Sequence, residues 1–266
     1  MSDSAWGWHV QIPPETKDGR FWDEWWRKRR NPDADMFPRI HEVPISWQPG
    51  KLSYLWQEGN LSYLPIDNDD WLASVMYEYG LRTILCAGNG VSQEPKALAA
   101  AGFDVTALDI STVAVSSAKQ CNDDRCLDFC SPKIRRPGGH VEFAVGDLLD
   151  TTVCPGPFDV VIERRTIQWF GEHERAAALS ALSGRLGQSG IFLSHCLDDP
   201  FPLELGWSQH EFGWFHASEA WFRTNGWTIW DGIRSSALTG RVAWLVRSGS
   251  MKPRPKWKPR VDFGAV

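Results

Sequence analysis

The chain has 266 residues, 42% of them hydrophobic, with a formal net charge of −5 and an estimated pI of about 5.8. This composition supports a substantial core and excludes a disordered or fibrous protein. The acidic balance disfavours nucleic acid and anionic lipid as partners, and no stretch approaches the roughly eighteen apolar residues of a membrane helix. Because the first residues also lack the apolar core of a signal peptide, we expect a cytoplasmic protein whose cysteines are mostly thiols.

The two ends of the chain differ in composition from its middle. Eight of the sixteen tryptophans lie in the first 71 residues, where FWDEWWRKRR predicts a short helix that ends before Asn31-Pro32. We expect residues 1–70 to form a tryptophan-rich cap that packs on the main domain, with a role as pocket wall as the alternative. Residues 249–266 are basic and rich in proline, and are predicted to be an extended tail.

Residues 71–248 alternate between helical and strand patterns. WLASVMYEYG predicts a helix that ends at Gly80, and the strand RTILCAG follows it. The next predicted elements are the helix EPKALAAAG, the strand DVTALDI, the helix TVAVSSAKQC, the strands VEFAVGD and DVVIE, the helix ERAAALSALSGRLGQSG, the strand IFLSHC, the helix SEAWFRTNG and the strand RVAWLVR. Apolar strands separated by helices predict an α/β fold with a mostly parallel sheet and helices on both faces. Ligands of such sheets bind at the carboxyl ends of the strands.

A glycine loop and an acidic residue indicate a nucleoside site. Gly88 and Gly90 directly follow a predicted strand, and Asp109 ends the next strand, 21 positions after Gly88. Such a loop lets the backbone approach a ligand, and the carboxylate can accept the ribose hydroxyls. A dinucleotide fingerprint would have a third glycine where this chain has Gln93, and the acid Glu94 opens the next helix. An acid at a helix start repels a pyrophosphate but not a sulfonium, so the charge favours S-adenosylmethionine over NAD.

These motifs, in this order, resemble the class I S-adenosylmethionine-dependent methyltransferases over roughly residues 71–247. The family's loop (D/E)-x-G-x-G-x-G is matched from Cys86 to Ser92, with a thiol in place of the acid and a serine in place of the third glycine. The resemblance implies a Rossmann-like, mostly parallel seven-stranded sheet and S-adenosylmethionine as cofactor. The segment VEFAVGDLLD resembles the third-strand motif whose Asp reads the adenine. The implied cofactor-binding residues are Gly88, Asn89, Gly90, Asp109, Ile110, Asp147, Leu148 and Glu163.

Methyl transfer needs alignment first and a base only when the nucleophile carries a proton. Polar residues that could act lie after the fourth and fifth strands: Glu163, Arg164, Arg165, His173, His195, Asp198 and Asp199. We choose Glu163 as the candidate catalytic base because it ends the fourth strand, near the expected position of the methyl group. An ion pair with a neighbouring arginine, or a contact to the cofactor, is the alternative role.

The acceptor is suggested only by the loop after the fourth strand. Methyltransferases that act on the exocyclic amines of bases resemble (D/N/S)-P-P-(Y/F) there, whereas this chain has Glu163-Arg164-Arg165-Thr166. IERRTI and the early tryptophans instead loosely resemble the thiol and thiopurine branch, which implies a small-molecule acceptor and makes nucleic acid a poor partner. A second aromatic group, with Trp207, Phe212, Trp214, Phe215 and Trp221, is predicted either to cover the acceptor site or to pack as a secondary core.

Three alternatives remain open at this level. An NAD-dependent oxidoreductase would use the same strand and loop, and a non-catalytic binding protein of this fold would explain Cys86 and Ser92. A nucleic-acid methyltransferase would use the basic tail. The spacing of Cys121, Cys126 and Cys130 does not follow a common metal knuckle, so we expect no metal, with zinc as the alternative. The sequence does not define the oligomeric state.

Overall fold

The computed structural model of the chain describes residues 18–30, 76–92, 94–120, 136–164, 166–167, 170, 172–197, 220–235 and 240–247. The elements are α1 (Gly19–Arg30), β1 (Thr83–Ala87), α2 (Glu94–Ala100), β2 (Asp104–Asp109), α3 (Thr112–Gln120), β3 (His140–Val145), β4 (Phe158–Arg164), α4 (Glu172–Gly184), β5 (Leu186–Leu197), β6 (Trp227–Ser235) and β7 (Gly240–Arg247). Short helical stretches at 76–78 and 220–224 lie before β1 and before β6.

These strands form one sheet with the order β3-β2-β1-β4-β5-β7-β6. The first five strands are parallel, and β7 is antiparallel to both β5 and β6. The predicted α/β fold with a mostly parallel sheet is therefore confirmed. The strand order reverses between β1 and β4, and the crevice beyond the carboxyl ends of these two strands is the place where such sheets bind ligands.

The core has two layers, one on each face of the sheet. Successive residues of β1 alternate between the layers because side chains along a strand point to opposite faces. Ile84 and Cys86 pack with Leu98 of α2 in one layer. Leu85 and Ala87 pack with Leu179 of α4 in the other. Helices thus cover both faces, as the apolar strands predict for a parallel sheet.

The predicted and observed elements differ in two places. The sequence predicts a helix that runs to Gly190, but α4 ends at Gly184 and β5 already begins at Leu186. Leu186 pairs with Phe158 of β4, and this tertiary pairing overrides the helical pattern. The strand β6 is not predicted from the sequence. Its pairing with β7 shifts between Trp230 and Ile233, and this irregularity interrupts the alternation that would identify a strand.

Several predictions fall outside the part of the chain that the structure describes. Only residues 18–30 of the predicted cap are described, and the tail 249–266 is not. The cysteines Cys121, Cys126 and Cys130, and the aromatic residues Trp207, Phe212, Trp214 and Phe215, also lie outside the described ranges. Among the helices in those ranges, none has the length and apolar character needed to cross a membrane.

The buried side chain of Arg185 holds the connection between β3 and β4 against the end of α4. Its guanidinium donates hydrogen bonds, 2.7 to 3.4 Å long, to the carbonyl oxygens of Leu148, Asp150, Val153, Cys154 and Ala181. Arg185 is 1% exposed. Removal of this side chain would leave several buried carbonyl groups without a donor, which is among the more costly changes in a protein interior.

We expect Arg185→Met to lower the free energy of unfolding by about 2–4 kcal/mol, because it leaves buried carbonyl oxygens unsatisfied. Urea denaturation followed by circular dichroism measures the change. The control is Arg20→Met, since the Arg20 side chain is 93% exposed and its ion pair with Asp18 lies at the surface. Equal stability of the two variants would show that the Arg185 hydrogen bonds are dispensable.

Candidate cofactor-binding site

The loop after β1 is built on two residues with left-handed backbone conformation. Gly88 has a φ of +62° and Gly90 a φ of +56°, a region that favours glycine. Between them, the N–H of Asn89 donates a 3.1 Å hydrogen bond to the carbonyl oxygen of Leu108. The Asn89 side-chain amide lies 3.2 Å from the carbonyl oxygen of Ser92. These bonds tie the loop to the end of β2 and close it upon itself.

The two departures from the family's loop pattern have different structural consequences. Ser92, at the third glycine position, is buried, and its Oγ accepts a 3.2 Å hydrogen bond from the N–H of Glu94 at the start of α2. The serine therefore satisfies one of the free N–H groups at a helix start. Cys86, at the position of the acid, is 3% exposed and packs in the first core layer. This position thus contributes a buried thiol rather than a carboxylate.

Asp109 lies at the centre of the site. Its Oδ2 accepts a 2.7 Å hydrogen bond from the N–H of Gly90, and its Oδ1 accepts a 2.8 Å bond from the N–H of Ser111. Burial raises the pKa of Asp109, and the nearby Asp23 carboxylate adds to this effect, while the backbone N–H groups of Ser111, Gly90 and Ile110 oppose it. Each oxygen of a carboxylate can accept two hydrogen bonds, so Asp109 retains one acceptor position on each oxygen.

The other residues predicted to contact adenine lie around the ends of β2 and β3. The N–H of Gly146 donates to the carbonyl oxygen of Asp109, which brings the turn after β3 next to β2. Asp147 is exposed, and its Oδ1 accepts a 2.8 Å hydrogen bond from the N–H of Leu149. Ile110 is half-buried, whereas the Leu148 side chain packs in the second core layer. Asp109, Ile110 and Asp147 are thus brought together, while the Leu148 side chain points into the core.

Glu163, the candidate base, is 1% exposed at the end of β4. It is the register partner of Ala87 in β1 and of Ser194 in β5. One carboxylate oxygen bonds the Ser194 hydroxyl, and the other accepts from the N–H groups of Thr166 (3.2 Å) and Ile167 (3.4 Å). In this arrangement the carboxylate organises the loop after β4.

Thr166 is a site residue that sequence reasoning does not identify. Its hydroxyl lies 3.1 Å from the carbonyl oxygen of Ala87 and 3.3 Å from that of Gly88. A Cβ on Gly88 would lie 2.2 Å from Thr166 Oγ1, so the threonine occupies the space that the glycine leaves. The contact joins the loops after β1 and β4, which flank the crevice of the sheet.

Helix α1 supplies two more residues that the sequence does not single out. The Asp23 carboxylate accepts hydrogen bonds from Ser111 Oγ (2.6 Å), Thr112 Oγ1 (2.8 Å) and the N–H of Val113 (3.1 Å) at the start of α3. Trp26 covers Gly90, since a Cβ on this glycine would lie 2.8 Å from Trp26 Cζ2. The only signal in the sequence is the tryptophan-rich segment itself, which predicts packing but not its location.

The remaining candidates for catalysis lie outside what the structure describes. Arg165, Asp198 and Asp199 are not among the described residues, and the side chains of Arg164, His173 and His195 are not described either. Their proposed roles stay predictions.

Part of the chain is similar to a known family of protein domains. Residues 85–194 match the family model of the methyltransferase domain. This range contains β1, the glycine loop, Asp109, Glu163 and Thr166. No curated protein sequence matches the chain. The matched part of the chain, somewhat less than half of it, is thus similar to a methyltransferase domain.

Solved structures share this fold at low sequence identity. The magnesium protoporphyrin IX methyltransferase (ChlM) from Synechocystis PCC 6803 with bound SAM is 17% identical, covers 89% of this chain and 100% of its own, and has a TM-score of 0.58. The same enzyme with bound SAH is 18% identical over 87% and 96%, with a TM-score of 0.57. The PH0226 protein from Pyrococcus horikoshii OT3 is 18% identical over 70% and 96%, with a TM-score of 0.50. The predicted methyltransferase fold is confirmed.

We expect Gly88→Ala to destabilise the protein more than Gly80→Ala does. Both glycines have a positive φ (+62° and +69°), but a Cβ at Gly88 meets Thr166, whereas a Cβ at Gly80 meets no atom within 4 Å. Backbone strain of about 1 kcal/mol is common to both variants, and the clash adds about 1–3 kcal/mol to the first. Equal melting temperatures of the two variants would contradict the contact between Thr166 and Gly88.

Proposed function

We propose that the protein transfers the methyl group of S-adenosylmethionine to a small molecule, with the cofactor's ribose on Asp109. The observation that carries this proposal is the hydrogen bonding of the Asp109 carboxylate at the carboxyl end of β2, next to the glycine loop after β1. Two backbone N–H groups fix its orientation, and one acceptor position remains on each oxygen. A vicinal diol offers two O–H donors at this spacing, as the ribose of a nucleoside does.

The neighbouring residues have complementary roles in this proposal. Gly88, Asn89 and Gly90 form the loop along which the cofactor would lie, and Thr166 and Trp26 fix its conformation by filling the space that a Cβ would take at the two glycines. Ile110 and Asp147 flank the adenine beyond the ends of β2 and β3. Leu148 contributes through its backbone and through packing, because its side chain belongs to the core.

The charge around the loop supports a cationic ligand. Four carboxylates surround or follow it: Asp23, Glu94, Asp109 and Glu163, of which the last three are less than 9% exposed. A pyrophosphate would be repelled by this set, whereas the sulfonium of S-adenosylmethionine carries a positive charge and no phosphate. The same charge pattern disfavours NAD as the cofactor.

Methyl transfer requires little of the protein beyond the alignment of the nucleophile with the methyl group. The methyl carbon is already activated by the sulfonium, and in-line displacement needs the nucleophile held behind it. We propose that Glu163 positions the loop after β4 through Ser194, Thr166 and Ile167. A role as base would require the carboxylate to exchange one of these partners for the acceptor.

A small-molecule acceptor is supported by the loop after β4 and by the fold. The segment from Glu163 to Thr166 lacks the pattern of enzymes that methylate the amines of bases. One structure of this fold is named for a small-molecule acceptor, magnesium protoporphyrin IX. The resemblance of IERRTI to the thiol and thiopurine branch makes small thiols the first acceptors to assay.

We expect Asp109→Asn to weaken the binding of S-adenosylhomocysteine by about a hundredfold, because it removes the charge and one acceptor from the ribose contact. Isothermal titration calorimetry measures the affinity. Asp104→Asn is the matched control, since Asp104 lies exposed at the other end of the same strand. Tight binding of the cofactor by the Asp109 variant would refute the proposed site.

We further expect the affinity for S-adenosylhomocysteine to fall on acidification while ordinary aspartates are still ionised. Burial raises the pKa of Asp109 above its ordinary value of 3.8, and the protonated form offers the ribose fewer acceptor positions. The affinity should therefore be full above the raised pKa and be lost as the pH falls through it. Calorimetry at a series of pH values gives this profile, and an affinity that stays constant down to pH 3.8 would contradict it.

A further inference from the structure

We propose that Asp23 is a positioning residue that holds α1 over the ribose site as a cover, and that the cofactor is exchanged only when this cover lifts. The proposal rests on the cofactor site proposed above and adds a control on access to it. It concerns α1, which lies outside the matched range 85–194.

Helix α1 spans the position of Asp109. A Cβ on Gly19, at the first residue of the helix, would lie 3.0 Å from the carbonyl oxygen of Ile110. Trp26, two turns further on, covers Gly90. Asp109 joins these two contact points, since it precedes Ile110 in the chain and accepts the N–H of Gly90. Asp109 is 8% exposed between these contact points. In the proposed arrangement a ribose reaches its carboxylate only when α1 moves.

Asp23 attaches α1 to the start of α3. Its carboxylate accepts one bond each from Ser111 Oγ, Thr112 Oγ1 and the N–H of Val113. A carboxylate at the start of α3 also interacts favourably with the helix dipole. Burial opposes ionisation, but these hydrogen bonds outweigh it and lower the pKa of Asp23. Asp23 therefore stays ionised, and its attachment persists at neutral pH.

The other charged residues with described side chains on α1 are exposed, and one of them pairs with Asp23. Glu24 is exposed, and the side chain of Arg20 is 93% exposed. Arg27, 61% exposed, lies 3.6 Å from Asp23 Oδ2 on the same helix. Exposed side chains and an ion pair within α1 do not connect this helix to α3, as the hydrogen bonds of Asp23 do.

Ser111 couples the cover to the ribose site. Its hydroxyl donates to Asp23, while its backbone N–H donates to Asp109. Ser111 Oγ also accepts a 3.1 Å bond from the N–H of Ala114 in the first turn of α3. The same residue thus fixes the carboxylate that binds the ribose and the helix that covers it.

A cover and a simple pocket wall differ in their kinetic effect. Loss of a wall contact destabilises only the bound state and raises the dissociation rate. A cover limits entry as well as exit, so its release raises both the association and the dissociation rate. The ratio of the two rate constants then changes less than either rate constant alone.

The test compares Asp23→Ala with Glu24→Ala. Both variants remove one carboxylate from α1 and introduce the residue with the highest helix propensity, so the helix itself is not weakened. Stopped-flow tryptophan fluorescence with S-adenosylhomocysteine gives both rate constants. We expect both to rise about tenfold or more in Asp23→Ala and to change less than about twofold in Glu24→Ala. Thr112→Val, which removes one of the three donors, should raise both by about threefold.

Each outcome decides the proposal. Unchanged rates in Asp23→Ala, or a rise in the dissociation rate alone, would overturn the cover while the cofactor site stands. Failure of the wild-type protein to bind S-adenosylhomocysteine would overturn the proposed function, and the cover with it. If Asp23→Ala does not fold, Thr112→Val decides, because it keeps the carboxylate and all backbone donors. Hydrogen exchange of residues 19–30 shows independently whether α1 is released in either variant.

Discussion

The hydrogen bonds of Asp109 organise the region in which the cofactor is proposed to bind. A buried carboxylate needs donors in compensation for the water it loses, and this one takes them from Gly90 and Ser111. These two donors belong to the loop after β1 and to the start of α3, while Asp109 itself ends β2. Three segments are thereby joined at one side chain. The same two bonds fix the orientation of the carboxylate and leave one acceptor position on each oxygen.

The conformation of the glycine loop is supported by contacts from two distant parts of the chain. Thr166 packs on Gly88 from the loop after β4, and Trp26 packs on Gly90 from α1. The Glu163 carboxylate holds Thr166 in place by accepting a hydrogen bond from the backbone N–H of Thr166. The site is therefore an assembly of segments that lie far apart in the sequence. A change in any of them is expected to alter the loop even when the glycines themselves are retained.

The sequence predicts the parts of this assembly that depend on local patterns. The apolar strands, the helix at 21–30, the two glycines and the acid at the end of β2 lie where periodicity and motif spacing place them. The order of these motifs was sufficient to indicate the methyltransferase fold, in agreement with the domain match and with the solved structures. Local patterns predict these elements because each is determined by residues within a few positions of one another.

Contacts between distant residues could not be predicted in this way. Asp23 bonds Ser111 across 88 positions, and Thr166 bonds Ala87 across 79. Hydrophobic periodicity shows which face of a helix is buried, but it does not show which surface covers that face. Leu148 illustrates the same limit, because an apolar residue after an acid can contact a ligand or fill the core. In the structure its side chain fills the core.

A crystal structure of the protein with S-adenosylhomocysteine tests the central claim most directly, namely that Asp109 is the ribose-binding residue of this site. Both ribose hydroxyls should lie within hydrogen-bond distance of the Asp109 carboxylate, with the N–H groups of Gly90 and Ser111 still bonded to its other acceptor positions. A ligand whose sugar lies away from Asp109 would contradict it.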